Sequence, residues 1–455
     1  MSKKLIIPEE IKKRELLSVI NLSINFLKEN WVVYIGQKQQ VFPFIKNFSR
    51  SVWLLKSIVP GENNILKKLK KNNHFISSLD IEGLVPSNGK YGVLQRYSET
   101  GLKLSDLIFF WGKNHFINVK RIFPKFQNKY FVTGSPIIDV WQKKFFHKKN
   151  KKKKILFITS FPLANPIGVK LKDESSYLRL SISAFGENLS KKNLKTLKLE
   201  YEVQKKALAD YQKIFERLVS TNKFDICIRP HPMENPETWK NLISKKCYID
   251  NKSDLNDQIL NSDILIHFNS TVSVQSAFNK KKTLTLFNKD YKKFLEVLSD
   301  IPLKLSETFY SYENLLKKIK INKKKNNTNL LNKVLFFKKN SNSSNIIFNT
   351  INKKFLDDGY IQDPFNFFSI LNLMEYIIKR KIGFFLGVLL KYIPFIKNKF
   401  DFHLVSSKLG KAKWSKLHKN EIKYLYKSIE KNKKFLSSLK FEKHVSGMYK
   451  IYLTK

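Results

Sequence analysis

Phe224-Asp225-Ile226-Cys227-Ile228-Arg229-Pro230-His231-Pro232 decides the reading of the fold. A short apolar run of strand length passes directly into a polar turn that carries two prolines. Proline fixes its own φ and biases the preceding residue toward extended backbone, so Arg229 and His231 are held where the strand stops. A similar run, 263–268, ends in Asn269-Ser270-Thr271 and gives way to a helix-compatible segment with Val272, Gln275, Ser276 and Phe278. Further strand-like runs at 155–158 and 283–287 flank these, and a helix over about 193–220 is expected from Leu194, Leu197, Val203, Leu208, Tyr211, Ile214, Phe215 and Leu218.

The same alternation occupies residues 1–145. Leu16, Leu17, Ile20, Ile24 and Leu27 recur at helical spacing, and strands are expected at 31–35, 74–78, 106–111 and 129–133, with Gly36 and Gly134 closing the first and last. Short apolar runs separated by amphipathic helices imply parallel sheets covered by helices. The expected fold is therefore α/β, with two Rossmann-like domains facing a cleft, at 1–145 and 151–320, joined by a basic linker near 143–154. A Lys/Asn/Ser-rich linker at 321–364 and a basic helical appendage at 365–455 follow.

Composition bounds the function. The chain has 455 residues, 85 Lys and Arg against 37 Asp and Glu, a formal charge of +48, and 42% hydrophobic residues. Its length exceeds what one core usually organises. The charge is mostly lysine in short runs, at 151–154, 280–282 and 323–325, alongside abundant Asn, Ile and Phe. Background composition and polyanion binding explain it about equally well. No finger spacing, RNP-like motif or recognition helix supports nucleic acid as the partner. Cys227 and Cys247 form no CxxC pair, so no metal site is expected and a reducing compartment fits. Charged residues from Glu9 to Arg14 interrupt any leader-like apolar segment, and the apolar run 382–396 is broken by Lys391 and too short to span a bilayer. A cytoplasmic protein is expected. The basic amphipathic pattern of 365–400 makes an anionic membrane surface a candidate partner, on equal terms with simple packing against the second domain.

Open α/β sheets bind ligands beyond the carboxyl ends of their strands. Arg229 can grip phosphate through parallel hydrogen bonds, and His231 can give a proton to a departing phosphate. Ser270 and Thr271 stand at or near a helix N-terminus, where unpaired N–H groups favour anions. Ser270 is equally compatible with an N-cap, and 229–232 read alone with a rigid turn. Ser160, after the run 155–158, qualifies by position. Asp80-Ile81-Glu82-Gly83 puts two carboxylates at a strand end, suited to accepting a hydroxyl proton or to a solvated turn. Gly134-Ser135-Pro136 with Asp139 ends the last strand of the first half. His267 lies inside an apolar run and reads as a core residue.

An acidic-Gly turn, then a His-Pro turn, then a Ser/Thr pair resembles bacterial sialyltransferases and polysialyltransferases. The context of Glu10–Leu16, Val33-Tyr34-Ile35-Gly36, Leu79–Leu84, Asp106–Gly112 and Val132–Pro136 is similar to the surface carbohydrate biosynthesis proteins. The resemblance spans roughly residues 5–290. It implies a GT-B, metal-independent, inverting glycosyltransferase without a cofactor, with an N-terminal acceptor domain and a C-terminal donor domain. Its substrates would be a nucleotide-sugar donor, most specifically a CMP-linked nonulosonic acid, and a glycan or glycolipid acceptor of surface polysaccharide or lipopolysaccharide. His231 would assist departure of the nucleotide. Arg229, Pro232, Ser160, Ser270 and Thr271 would line the donor site, Gly83 and Ser135 the acceptor side, and Glu82 would be the general base. Ile81 stands where the motif expects an acid, and Asp80 is the neighbouring substitute. A CDP-polyol phosphotransferase and a noncatalytic envelope-assembly protein are the competing readings.

Overall fold

The structure, a computed structural model, describes residues 2–84, 89–141, 153–167, 191–321, 325, 327–337, 342–359, 417–445 and 447–454. Its strands in chain order are β1 (Lys4–Glu9), β2 (Val32–Gln37), β3 (Val52–Leu55), β4 (Phe75–Leu79), β5 (Leu107–Phe110), β6 (Tyr130–Val132), β7 (Lys154–Ile158), β8 (Asp225–Arg229), β9 (Cys247–Ile249), β10 (Ile264–His267), β11 (Lys282–Leu286), β12 (Glu307–Phe309), β13 (Leu439–Val445) and β14 (Met448–Leu453). They form two sheets in two compact units. One unit contains Met1–Ile81, Arg96–Val140 and Phe336–Lys455; the other contains Glu82–Gln95 and Trp141–Leu335. Each is an α/β unit built on a parallel sheet, as the alternating pattern requires.

The first sheet runs β13-β14-β2-β1-β3-β4-β5-β6. Its strands β1 to β6 are mutually parallel, and the antiparallel β13–β14 hairpin pairs with β2. Fully buried Leu5, Ile6, Val33, Ile35, Val52, Trp53, Ile76, Ile108 and Phe109 show why the strands read as continuous apolar runs. The helix Lys12–Lys28 packs against the helix Ser343–Asp357. Edge-to-face contacts of Phe26 with Trp31 at 5.1 Å and with Phe348 at 4.9 Å seal that layer. Gly134, at φ +75°, brings the end of β6 against the Phe336 carbonyl and the Ser343 hydroxyl, a conformation and an approach that suit a residue without Cβ.

The second sheet is parallel throughout, in the order β12-β11-β10-β7-β8-β9. From β7 the chain adds β8 and β9 on one side and then crosses to add β10, β11 and β12 on the other. This is the strand order of the doubly wound dinucleotide fold, with its switch point between β7 and β10. The helix Lys191–Ser220 covers one face, burying Val203, Ala207, Tyr211, Phe215 and Leu218 against Phe157, Ile226, Ile266 and Leu284. Phe157 stacks on Phe215 with ring centroids 3.9 Å apart.

Two expectations need correction. Residues 321–364 contain the helices Thr328–Val334 and Ser343–Asp357, so this segment holds ordered packing elements as well as linker. Its Asn and Ser residues cap: Asn342 accepts the Asn345 N–H at 2.7 Å. Within 365–455, residues 365–416, including 382–396, lie outside the described residues. The described remainder has a helix at Lys419–Ile429, but its end is the β13–β14 hairpin. Leu439 and Phe441 are buried while Lys440 and Glu442 face solvent, a short period-two alternation hidden by the general excess of lysine.

Candidate functional site

The site assembles on the second sheet, where the loops after β7, β8 and β10 leave neighbouring strands on either side of the switch point. β7 pairs with β8 up to Ile158 opposite Arg229, and the Thr159 N–H extends that ladder to the Arg229 carbonyl at 3.1 Å. Beyond it the two loops are tied by side chains. The Thr159 hydroxyl accepts the His231 N–H at 3.3 Å and donates to Glu234 Oε2 at 2.6 Å, while Glu234 Oε1 accepts the Phe161 N–H. Asn165 adds reciprocal backbone and side-chain bonds to Asn235 at 2.9 Å. The Glu234 N–H also donates to the His231 carbonyl at 2.8 Å, so the His231 backbone is held at both its N–H and its carbonyl.

Its imidazole is partly buried, and Nδ1 accepts the Met233 N–H at 3.2 Å. An Nδ1 engaged as acceptor assigns the neutral ring's proton to Nε2. That is the tautomer needed to give a proton to an oxygen approaching from the Nε2 side. Pro232 is exposed beside it.

Arg229 projects from the end of β8, and its Nη1 donates to the Ser253 carbonyl and to Gln258 Oε1, both at 2.7 Å. It braces the 250–258 segment, and burial lowers its pKa while Asp254 and Asp250 oppose that shift. After β10, Asn269 adopts φ +41° and its Oδ1 accepts the Ser299 N–H at 2.9 Å. Ser270 is buried; its Oγ accepts the Val272 N–H at 3.3 Å, a local Ser turn opening the helix Val272–Phe278. Thr271 is exposed at the helix start and Ser160 is partly buried after β7. His267 is fully buried, its Nε2 2.7 Å from Ser306 Oγ, and burial pushes its pKa down to about 3. It is a core histidine, as its apolar setting suggests.

The remaining sequence candidates stand around β4 and β6. Asp80 is buried and held by Arg96 through two bonds, Nε to Oδ2 at 2.8 Å and Nη2 to Oδ1 at 2.6 Å. Its carbonyl accepts Trp111 Nε1–H at 2.8 Å. A carboxylate gripped this way positions Arg96 and the end of β4. Close by, Tyr97 Oη and His115 Nε2 lie 2.7 Å apart, and burial lowers the His115 pKa to about 4. Glu82 is exposed in the following turn and Gly83 is buried. Ser135 is buried; Asp139, one helical turn on, accepts the N–H groups of Ser343 at 2.8 Å and Ser344 at 2.9 Å and so caps the helix Ser343–Asp357.

Sequence reasoning missed Glu234 and Thr159. Burial raises the Glu234 carboxyl pKa to about 7 against the opposing Phe161 and Thr159 hydrogen bonds. In the sequence Glu234 is one polar residue in a polar loop; only the return of the β7 loop shows its partners. Among the described residues, no cluster of three or more His, Cys, Asp or Glu is placed to hold a metal ion, and no helix is long and apolar enough to cross a membrane.

No protein-family model and no curated protein sequence matches this chain. Solved structures are similar in fold at low identity. S. aureus MnaA in co-structure with UDP is 13% identical, with 81% of this chain and 100% of that one covered at a TM-score of 0.49. The Methanocaldococcus jannaschii UDP-GlcNAc 2-epimerase in complex with UDP-GlcNAc and UDP is 12% identical, covering 78% and 100% at 0.46. The wall teichoic acid polymerase TagF with CDPG is 11% identical, covering 79% and 90% at 0.47.

Proposed function

We propose that this chain is a glycosyltransferase that moves a sugar from a nucleotide-activated donor to a glycan or glycolipid acceptor in surface carbohydrate biosynthesis. The observation that carries the reading is the meeting of the β7, β8 and β10 loops beside one switch point, with His231 held as its Nε2–H tautomer. A nucleotide diphosphate or monophosphate placed there faces the Ser160 loop, the His231 turn and the Ser270-Thr271 turn together.

In this reaction the acceptor hydroxyl attacks the anomeric carbon, the bond from that carbon to the donor phosphate oxygen breaks, and configuration inverts. Glu82, exposed and carboxylate, takes the hydroxyl proton; Asp80 serves the turn through Arg96. His231 delivers a proton to the departing phosphate, with Ser160, Ser270 and Thr271 solvating its charge and Pro232 shaping the rim. Arg229 adds positive charge from behind the strand end. Gly83 and Ser135 belong to the acceptor side. The residues named here neutralise the leaving group without a metal. The donor class proposed is a CMP-linked nonulosonic acid, and the chemistry belongs to the cytoplasm, at the inner face of the cytoplasmic membrane where lipid-linked acceptors lie.

Nucleotide release by the purified chain, assayed over CMP, CDP, UDP and GDP donors, tests this. One donor class is expected to be hydrolysed or transferred, and His231→Ala should slow it by about 100-fold or more, the usual contribution of a positioned acid. Silence across all four classes removes the enzyme reading. Turnover of a CDP-polyol alone replaces the sugar with a polyol phosphate.

A further inference from the structure

The helix Lys419–Ile429 has no part in the proposed reaction, and one stripe of it is all cation. Lys419, Lys423 and Lys427 recur every fourth residue, so their side chains stand one above the other on one face. Lys433, which opens the helix Lys433–Ser438, and Lys440 on β13 bring two more ammonium groups to the same place. The five line one groove of about 670 Å³, floored by the buried Tyr426, Leu439 and Phe441. All five lysines are exposed.

Nothing among the described residues neutralises this charge. Each carboxylate nearby in sequence is taken by a cation outside the groove: Glu421 by Lys12 at 2.7 Å, Glu430 by Lys28 at 2.7 Å and Glu442 by Lys450 at 3.1 Å. Among the described residues no acid lines the groove, and the one side-chain partner of its ammonium groups is the Phe441 ring, 5.9 Å from Lys423 Nζ. Like charges four residues apart weaken a helix, a cost that an external anion reverses.

The make-up of the groove selects the anion. It carries lysine and no arginine, hence hydrated point charges on long apolar stems rather than the planar fork that reads individual phosphates. Tyr424, three residues before Lys427 and so beside it, is 70% exposed, a large aromatic with a polar tip of the kind that settles at a membrane interface. We propose that this face docks the chain on an anionic phospholipid bilayer, with the five lysines over the headgroup phosphates and Tyr424 at headgroup level. On the glycolipid-acceptor reading above, on which its purpose rests, docking brings the chain to its acceptor; the binding itself needs no turnover.

Co-sedimentation of the full chain with phosphatidylglycerol vesicles, compared with phosphatidylcholine vesicles, tests the surface. Capture by the anionic vesicles alone is expected, falling as sodium chloride rises. Lys419→Gln/Lys423→Gln/Lys427→Gln should lower the affinity about a hundredfold, each lysine near an anionic surface contributing roughly fivefold. Lys419→Arg/Lys423→Arg/Lys427→Arg should retain it. The matched control, Lys67→Gln/Lys68→Gln/Lys71→Gln, removes the same charge from exposed positions on the helix Asn63–Lys71, which packs on β4, beyond β14, β2, β1 and β3 from β13. It should change the affinity by about twofold at most, since screening limits the reach of distant charges. The groove variant should release nucleotide from the donor in solution at the unmutated rate, and His231→Ala should still bind vesicles, so loss of docking and loss of turnover are read separately. Equal loss in the two glutamine variants would show net charge alone at work and overturn the proposal. Equal capture by phosphatidylcholine, or groove-dependent binding of heparin without capture by vesicles, overturns it as well.

Discussion

Glu234 and His231 show how one side chain can govern another without touching its ring. Glu234 accepts the Thr159 hydroxyl, and that hydroxyl in turn accepts the His231 N–H. Because burial raises the carboxyl from 4.5 to about 7, the folded chain binds a proton there that the unfolded chain releases. The stability this contributes is complete below about pH 4.5 and is lost as pH rises through about 7. On the order of 3 kcal/mol separates the two limits. Glu234→Gln, which stays neutral, should lack this fall. Denaturant midpoints at pH 4.5, 6 and 8 for the two proteins check it, and parallel curves would show that Glu234 does not titrate there. The donor candidates Arg229, His231 and Ser270 were legible as residue types at strand ends. What they bond to was not, because Gln258, Met233 and Val272 enter through loop geometry that sequence spacing does not encode.

Elements were read best where burial on both faces makes a strand uniformly apolar. The expected 155–158, 263–268 and 283–287 became β7, β10 and β11 with end shifts of a residue or two, and 193–220 became the helix Lys191–Ser220. β1 escaped notice because Pro8 lies within it and charges follow at once. The structure tolerates Pro8 since β3 pairs only with Leu5 and Ile6, so no ladder bond to β3 is required of its nitrogen. β9 and β12 are three residues each, below the length at which periodicity is visible. At this scale Gly134 is the sharpest prediction. A methyl group at φ +75° would meet the Phe336 carbonyl oxygen and the Ser343 hydroxyl, beside the helix that Asp139 caps. Gly134→Ala should cost about 1–3 kcal/mol, measured by urea unfolding; an unchanged midpoint would mean the turn relaxes freely.

Across the whole molecule, two α/β units were legible because two runs of alternating strands and helices were. The return of the chain to the first sheet was not, since it depends on contacts between residues hundreds of positions apart. The charge of +48 acts at this scale too. Like charges repel in the compact state, and salt screens them over about 10 Å at 0.1 M. Tm should therefore rise as sodium chloride increases from 10 to 200 mM; a fall would show that attractive pairs such as Arg96 with Asp80 outweigh the repulsion.

The hairpin on β2 has a consequence for synthesis on the ribosome. β7 to β12 emerge as one uninterrupted stretch, so the second sheet can close as soon as that stretch has left the exit tunnel. The first sheet begins earlier yet is completed after the second, because β13 and β14 follow β12 in the chain. Until they arrive, the β2 edge offers unpaired backbone groups to any neighbouring strand. A nascent chain thus carries a completed second sheet while its oldest strands still need shielding, which makes the first half the natural client for chaperones.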